Sequence, residues 1–508
     1  MESIDHPGRA EPCPDRFNMA AYVLGRADDA PDKVALAILS PSGAERWRYA
    51  RLAATVRGAA TVLRDAGVSP CDRVLIRIGN TPAFPIIYLA AILIDALPVP
   101  TSAQLTVPEI SRIAEEIEPA LIVADAETAL PDPLPCPVLS TRDLTEWERC
   151  LPAEPVLGSP DRPAYLIYTS GTSGVPRAVI HAHRAVWARR MMWQGWYGLR
   201  ADDRVLHAGA FNWTYTIGTG LIDPWSVGAT ALVPGPGVSA AHLPLLLKRH
   251  DATLFAAAPG VYRQLLRAPM PRLPKLRHGF SAGEALPEAT RDAWQRATGT
   301  AIYEAFGMSE CSTFVSGSPS RPAPPGTTGY AQRGRHIAVL GETGPVPRGS
   351  PGILAVHEGD PGLCLGYWRA EADYDARRSG PWFLTGDLVR MADDGAIDYL
   401  GRRDDMMNAG GYRVSPLEVE HALNTHPDVS ESGAVELRVG ADKSVIAVFY
   451  VADAALEEAA LAAYLSQRLA RYKCPRIFRR CDALPRNANG KIQRAILRRR
   501  GESSFGQT

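Results

Sequence analysis

The chain has 508 residues, 46% of them apolar and 22% charged, which is material for large buried cores and too long for one simple domain. Its 55 basic and 55 acidic residues give a formal charge of zero, so no basic surface announces nucleic acid or anionic lipid, and a small-molecule enzyme fits best. Eight cysteines are scattered without a Cys-x-x-Cys pair, so neither a zinc site nor a disulfide framework is signalled, and reduced thiols in a cytosol are expected.

The stretch from Met1 to Gly25 lacks a basic start followed by an apolar run, so no secretory signal is read there and a cytoplasmic chain beginning near Met1 is expected. The most apolar segment, Ala83 to Pro100, is interrupted by Asp95 and closed by prolines. It is short for a membrane span and reads as a buried helix entering a strand, with no integral membrane association. Strand-like runs at Arg73 to Ile78, Ala120 to Ala124, Ala164 to Tyr168 and Thr253 to Ala257 alternate with helical stretches, one starting near Pro259. The alternation predicts an α/β fold: a large multi-layer N-terminal domain with parallel or mixed sheets over 1–403, and a small mobile α+β C-terminal domain over 404–508. The boundary is placed where the charged cluster Arg402, Arg403, Asp404 and Asp405 meets Gly410 and Gly411. Six lysines stand beside 49 arginines, so a surviving lysine is more than usually expected to serve where a compact ammonium is needed.

The segment Thr169, Ser170, Gly171, Thr172, Ser173, Gly174 follows a strand and runs through Pro176 to Arg177. Glycine allows close backbone approach, so a loop of this composition can set N–H groups and hydroxyls against phosphate oxygens; a plain surface turn is the alternative that composition leaves open. It is not a Walker loop, because no Gly-Lys-Ser/Thr follows the spacer. Downstream come an aromatic stretch from His207 to Gly218, then Ser281 to Pro287, then Tyr303 to Glu310. Thr385, Gly386 and Asp387, the Gly401 to Asp405 cluster, the Gly410 to Glu420 segment and finally Pro485 to Lys491 complete the series.

In this order the segments closely resemble those of the adenylate-forming superfamily, which comprises acyl-CoA synthetases, the adenylation domains of nonribosomal peptide synthetases, and firefly luciferase. The resemblance spans nearly the whole chain. It implies two steps: a carboxylate attacks the α-phosphate of ATP to give acyl-AMP and pyrophosphate, then the thiol of coenzyme A takes the acyl group and AMP leaves. Carried over residue by residue, it places Thr169 to Gly174, Arg177, Gly283, Glu284, Ala285, Phe306, Gly307, Asp387 and Arg402 around ATP. Phe306 would stack on adenine, and Asp387 with Arg402 would hold the ribose. Ser309 would bond the α-phosphate, and Glu310 would supply a hard oxygen to Mg²⁺. Lys491 would bridge the carboxylate and the α-phosphate as charge shifts toward pyrophosphate. Asp404 would be the hinge about which the small domain turns between steps, exchanging Lys491 for the Gly410 and Gly411 loop. That loop and Lys473 would then meet coenzyme A. Taken singly, Phe306 reads as a core residue, Ser309 with Glu310 as a helix cap, and Asp387 as a turn residue.

The acid pocket implied by the resemblance comprises Phe211, Trp213, Tyr215, Gly218, Ala282, Gly307 and Met308. Asn212 replaces the acid that peptide-synthetase domains usually carry there, which counts against an α-amino acid because a buried ammonium would lack a carboxylate. Acetyl-CoA synthetases carry a Trp where Gly307 stands, so an acid larger than acetate is expected: aromatic, alicyclic or short-to-medium aliphatic. The aromatics packing between strands is an equal alternative. The 17 residues after Lys491 leave no space for a carrier domain, which favours a free-standing ligase. A separate carrier protein as acceptor, and a homodimer, stay open. A silent nucleotide-binding regulatory homologue is opposed by the intact Lys491, Glu310 and Asp387. Arg177 and Ala178 stand where most relatives have Lys and Gly, which keeps the cation but alters its geometry.

Overall fold

The computed structural model describes residues 1–169, 176–409, 412–440, 443–487 and 490–503. Short runs of branched and apolar residues, the type that fits a pleated buried surface, form the strands of its large region. Six strands run parallel in the spatial order Val34–Leu39, Thr230–Pro234, Arg204–His207, Leu254–Ala256, His278–Ala282 and Ile302–Met308. Antiparallel strands flank them, Ala44–Arg48 at one edge and Ser312–Ser316 with Tyr330–Ala331 at the other. A second sheet is wholly parallel, in the order Leu97–Pro100, Arg73–Arg77, Leu121–Ala124 and Val138–Ser140.

Parallel sheets need cover on both faces. The helix Ala83–Leu93 lies between the two sheets, while the helix Val107–Ile117 packs on the Leu75 and Ile122 side of the second; every residue of Ala83–Leu93 is buried, which is why its sequence shows no polar stripe. One core joins this helix to Val74 and Ile76 of one sheet and to Leu36, Ala231 and Val233 of the other. Asp95, just beyond the helix, is an anchor: it accepts from Arg162 Nε at 2.7 Å and from His183 Nε2 at 3.0 Å. The other nitrogen of His183 accepts the Met19 N–H at 3.0 Å. Asn18 caps the Met19–Leu24 helix and donates to the carbonyls of Ile92, Leu93 and Val156, so the N-terminal helix is tied to the central one. No helix among the described residues is long and apolar enough to cross a membrane, and all eight cysteines are free thiols.

Two antiparallel sheets carry the ends of the motifs. Pro163–Thr169 pairs with Arg177–Ala182, which also pairs with Gly366–Tyr367. Ile4–Asp5, Ile337–Leu340, Pro351–His357, Trp382–Met391 and Arg378–Ser379 form the other in that order, with Ile397–Arg402 added alongside Trp382–Met391. Arg402 ends that sheet, and the single turn Arg403–Asp405 leads out of it. Beyond the turn, Glu431–Gly440 and Lys443–Val451 pair antiparallel, and Ile477–Arg480 joins them in parallel. Side chains from Met407 onward pack among themselves: Met407, Val419, Leu423, Val448, Leu461 and Phe478 form one core, and Val435, Leu437, Phe449, Leu484 and Leu497 another. The α/β architecture expected from the alternation, with parallel and mixed sheets, is the one observed.

Candidate functional site

Strand register brings the scattered motifs together. Asp387 and Arg402 lie directly opposite each other on paired strands, and Arg402 Nη1 donates to Asp387 Oδ2 at 2.9 Å and to the Thr385 carbonyl at the same distance. The second carboxylate oxygen accepts from the Tyr399 hydroxyl at 3.0 Å. The Tyr399 ring in turn packs against Phe306, centroids 5.5 Å apart, so one continuous wall runs from the aromatic face of Phe306 to the Asp387 carboxylate. Burial pushes Asp387 above the usual carboxylate range, opposed by the charges of Arg402 and Lys491. Burial likewise raises Glu284, against Arg486, Arg263 and Lys491. The Lys491 charge opposes the rise in both carboxylates, and the backbone beside it is tied to Glu284 through Arg486, which reaches both Glu284 oxygens and the Gly490 carbonyl.

Gly283, Glu284 and Ala285 follow the strand His278–Ala282 as an open turn. Gly283 has φ +95°, and a Cβ there would meet the Trp213 ring at 2.8 Å, so both conformation and packing require glycine. The turn is pinned by the Leu286 N–H donating to Glu304 at 3.1 Å, a carboxylate only 12% exposed that desolvation lifts to about 7 despite its partner Arg291.

Ser309 and Glu310 occupy the turn between the strands Ile302–Met308 and Ser312–Ser316 and cap no helix. The Ser309 carbonyl accepts from His181 Nε2 at 2.7 Å. Glu310 is buried, and its Oε1 accepts from the Tyr367 hydroxyl at 2.6 Å and from Arg377 Nη1 at 2.5 Å. Among the described residues no cluster of three or more His, Cys, Asp or Glu side chains is placed to hold a metal ion by itself. A single carboxylate fits Mg²⁺ that arrives with a nucleotide, since that ion usually takes one or two carboxylates plus phosphate oxygens.

Two glycines assigned to the acid pocket have structural reasons of their own. A Cβ on Gly307 would lie 2.2 Å from the Ser312 carbonyl oxygen, at the register shift between Phe306 and Gly307. The hairpin therefore requires glycine there, and its missing side chain is not by itself a statement about acid size. A Cβ on Gly218 would lie 2.2 Å from the Arg189 guanidinium. Arg189 donates through Nε and Nη2 to Asp223 at 2.8 and 2.6 Å, and the Tyr197 hydroxyl donates to the same carboxylate at 2.9 Å.

Gly218 and Ser309 line one cavity together with Tyr88, Tyr165, His181, Arg189 and Ser312. Phe211, Trp213, Tyr215, Ala282, Gly307 and Met308 do not line it. Phe211 is buried against Phe84, centroids 5.2 Å apart, in the central core, and so takes the packing role that its sequence left equally open. Tyr215 is buried too, its hydroxyl donating to the Phe280 carbonyl at 3.2 Å; it shares a cluster with Trp213 and Ala282 beside the Gly283 turn. Met308 packs with Phe306 against the neighbouring core of Phe314 and Val315.

Of the remaining expected residues, Thr169 and Arg177 face each other across the strand pair that closes the hydroxyl-rich loop, and Arg177 pairs with Asp373. Ser170, Gly171, Thr172, Ser173 and Gly174, and likewise Gly410 and Gly411, lie outside the described residues. Asp404 sits in the turn after Arg402, and its neighbour Asp405 is held by Arg498 at 3.2 Å and Arg494 at 3.6 Å. Lys473 pairs with Glu418. Sequence reasoning missed Tyr399, Tyr367, Arg377 and His181. Tyr399 alone had a readable signal, since it shares the two-residue period of Ile397 and Gly401, the buried positions of the strand that ends at Arg402.

Residues 25–368 match the family model described as AMP-binding enzyme, and residues 418–491 that of AMP-binding enzyme C-terminal domain. The chain is similar to the benzoate–CoA ligase of Thauera aromatica, 30% identical with 96% of each chain covered. It is also similar to the 3-hydroxybenzoate–CoA ligase of Aromatoleum sp. strain CIB, 29% identical over 90% of this chain and 92% of that protein. Its structure is similar to the crystal structure of a benzoate CoA ligase from Burkholderia xenovorans LB400, with TM-score 0.85, 28% identity, and coverage of 95% of this chain and 100% of that one.

Proposed function

The chain belongs to the AMP-binding enzyme family, and from that premise we propose that it activates a carboxylic acid with ATP and transfers the acyl group to coenzyme A. The acid carboxylate attacks the α-phosphorus of ATP; a P–O bond forms and the bond to the β-phosphate breaks, releasing pyrophosphate. The thiolate sulfur of coenzyme A then attacks the acyl carbon, and the C–O bond to AMP breaks. The observation that carries this reading is the continuous wall from Phe306 through Tyr399 to Asp387 and Arg402, together with the tie from Glu284 through Arg486 to the backbone beside Lys491. Aromatic acids are the first class to test, because the relatives named above are ligases of benzoate and hydroxybenzoate.

In this assignment Phe306 offers its face to adenine beside the Gly283 to Ala285 turn, Asp387 accepts from the ribose hydroxyls, and the Thr169 to Gly174 loop with Arg177 meets the outer phosphates. Ser309 bonds the α-phosphate. Glu310 would hold Mg²⁺, which when bound neutralises phosphate charge; Arg377 balances Glu310 until then. We place the domain boundary and hinge at Asp404, with Gly410, Gly411 and Lys473 serving coenzyme A after the C-terminal domain turns. That assignment requires Lys473 to leave Glu418.

The test is a panel of carboxylic acids, benzoates first, assayed for ATP-dependent pyrophosphate release with and without coenzyme A. Acid-dependent release with a thioester product is expected. Chelation of Mg²⁺ should abolish it, whereas Mg²⁺ alone should leave the thermal midpoint of the nucleotide-free protein unchanged, because the ion's affinity depends on the phosphates it arrives with. Release without thioester formation on coenzyme A would select a carrier-protein acceptor. Nucleotide binding with no release for any acid would select the regulatory reading.

A further inference from the structure

One charge cluster touches the Lys491 loop on one side and the adenine-side turn on the other. Arg486 Nη1 lies 3.3 Å from each carboxylate oxygen of Glu284, and it also donates to the carbonyl of Gly490, the residue before Lys491. Arg486 Nη2 donates to Glu431 Oε2 at 2.7 Å, and the same oxygen accepts from Arg263 Nη1 at 2.9 Å. Arg263 and Glu284 precede the Arg403–Asp405 turn, and Glu431 and Arg486 follow it. The loop is closed locally as well: Asn487 N–H donates to the Lys491 carbonyl, and Lys491 N–H donates to Asn487 Oδ1, each at 2.9 Å.

The four charged side chains are 19 to 27% exposed, so water does not screen them as it screens a surface pair. A guanidinium suits this place. Its planar fork can serve two carboxylates and a carbonyl at once, which a lysine ammonium on a flexible stem does not do with fixed geometry. Nothing in the proposed chemistry uses Arg486 directly, yet it is the group that joins the backbone beside Lys491 to the turn beside the nucleotide.

We propose that Arg486 is a positioning residue for acid activation: by bridging Glu284 and Glu431 and holding the Gly490 carbonyl, it fixes the Lys491 loop against the adenine-side turn, and it serves the adenylating step and not thiol transfer. This rests on the role given to Lys491 above. A catalytic charge works only when it is placed, and a misplacement of about 1 Å can cost roughly a hundredfold in rate. The contacts from Arg486 to Glu284 and from Arg263 to Glu431 join the two sides of the turn, so they must break when the C-terminal domain rotates.

The experiment compares Arg486→Gln, Arg486→Lys and Lys491→Ala in the full chain. Acid-dependent exchange of pyrophosphate into ATP reads the first step, with benzoate or whichever acid the panel selects. Thioester formation from the corresponding synthetic acyl-adenylate reads the second. Arg486→Gln should lower kcat for exchange by about ten- to a hundredfold with little change in KM for ATP, while the second step keeps its rate and the thermal midpoint holds. Arg486→Lys should recover part of the loss. Unchanged exchange in Arg486→Gln beside a loss in Lys491→Ala would overturn the proposal and leave the parent reading standing. Equal loss in both steps would overturn it by marking Arg486 as a residue of the fold alone. Absence of acid-dependent exchange in the unmodified protein would overturn the parent reading and this one with it. If Arg486→Gln does not fold, Glu431→Gln removes one arm of the bridge and should show a smaller loss confined to exchange.

Discussion

Lys491→Ala is expected to lower acid-dependent pyrophosphate exchange by about a hundred- to a thousandfold, the usual consequence of removing one preorganised charge aimed at a transition state. Thioester formation from supplied acyl-adenylate should continue. The expectation rests on the role proposed for Lys491 and on the tie that holds its loop: Arg486 bonds the Gly490 carbonyl and reaches Glu284 in the Gly283 to Ala285 turn, and the Lys491 charge opposes the rise in both Glu284 and Asp387. In the proposed assignment this cation meets the α-phosphate of the nucleotide, and its work is finished once pyrophosphate has left. The chain's scarcity of lysine agrees with this, since arginine serves almost everywhere a generic cation would do. A parallel collapse of both half-reactions in a folded Lys491→Ala protein would sink the division of labour between the steps.

Asp223→Ala is expected to destabilise the fold by about 3–5 kcal/mol, because it strands a buried guanidinium. Asp223 is 1% exposed and takes two bonds from Arg189 and one from Tyr197. Burial works against the Arg189 charge, and the Asp223 carboxylate more than reverses that, holding the guanidinium above its ordinary range. The loss would be a large share of a typical stability of about 5–15 kcal/mol and should appear as a marked fall in the urea midpoint. Removing both charges with Arg189→Met and Asp223→Leu should restore much of it, since an apolar pair carries no stranded charge. A single-substitution loss below about 1 kcal/mol, the range of solvated pairs, would show that water reaches Arg189. Because Arg189 lines the cavity beside Gly218 and Ser309, the double variant also tests whether that cavity receives the acid: a changed acid preference with ATP handling intact is the expected sign.

Both results turn on groups that differ in how far the amino-acid order reveals them. Lys491, Asp387, Glu310 and Phe306 were named from the sequence because each sits in a short motif that resembles one of the family's. Arg189 and Asp223 were not, because their pairing depends on two segments 34 positions apart folding against each other. The same holds for Arg486 and Glu284, separated by 202 positions. Gly307 shows the opposite hazard: its sequence context suggested an open pocket, whereas a backbone carbonyl 2.2 Å from where a Cβ would stand already demands glycine.

By itself the sequence determined the alternation of strands and helices, the buried character of Ala83 to Leu93, the order of the motifs and the residue types able to meet a nucleotide. These are local properties, written in periodicity and in short-range spacing. Only the tertiary structure decided which aromatic backs the Asp387 carboxylate, which cation balances Glu310, that Phe211 belongs to the core, and that Arg486 ties the Lys491 loop to Glu284. Periodicity specifies that a face is buried but not what lies on its other side, and a hydrogen bond or ion pair between distant segments exists only once the sheets fix their register.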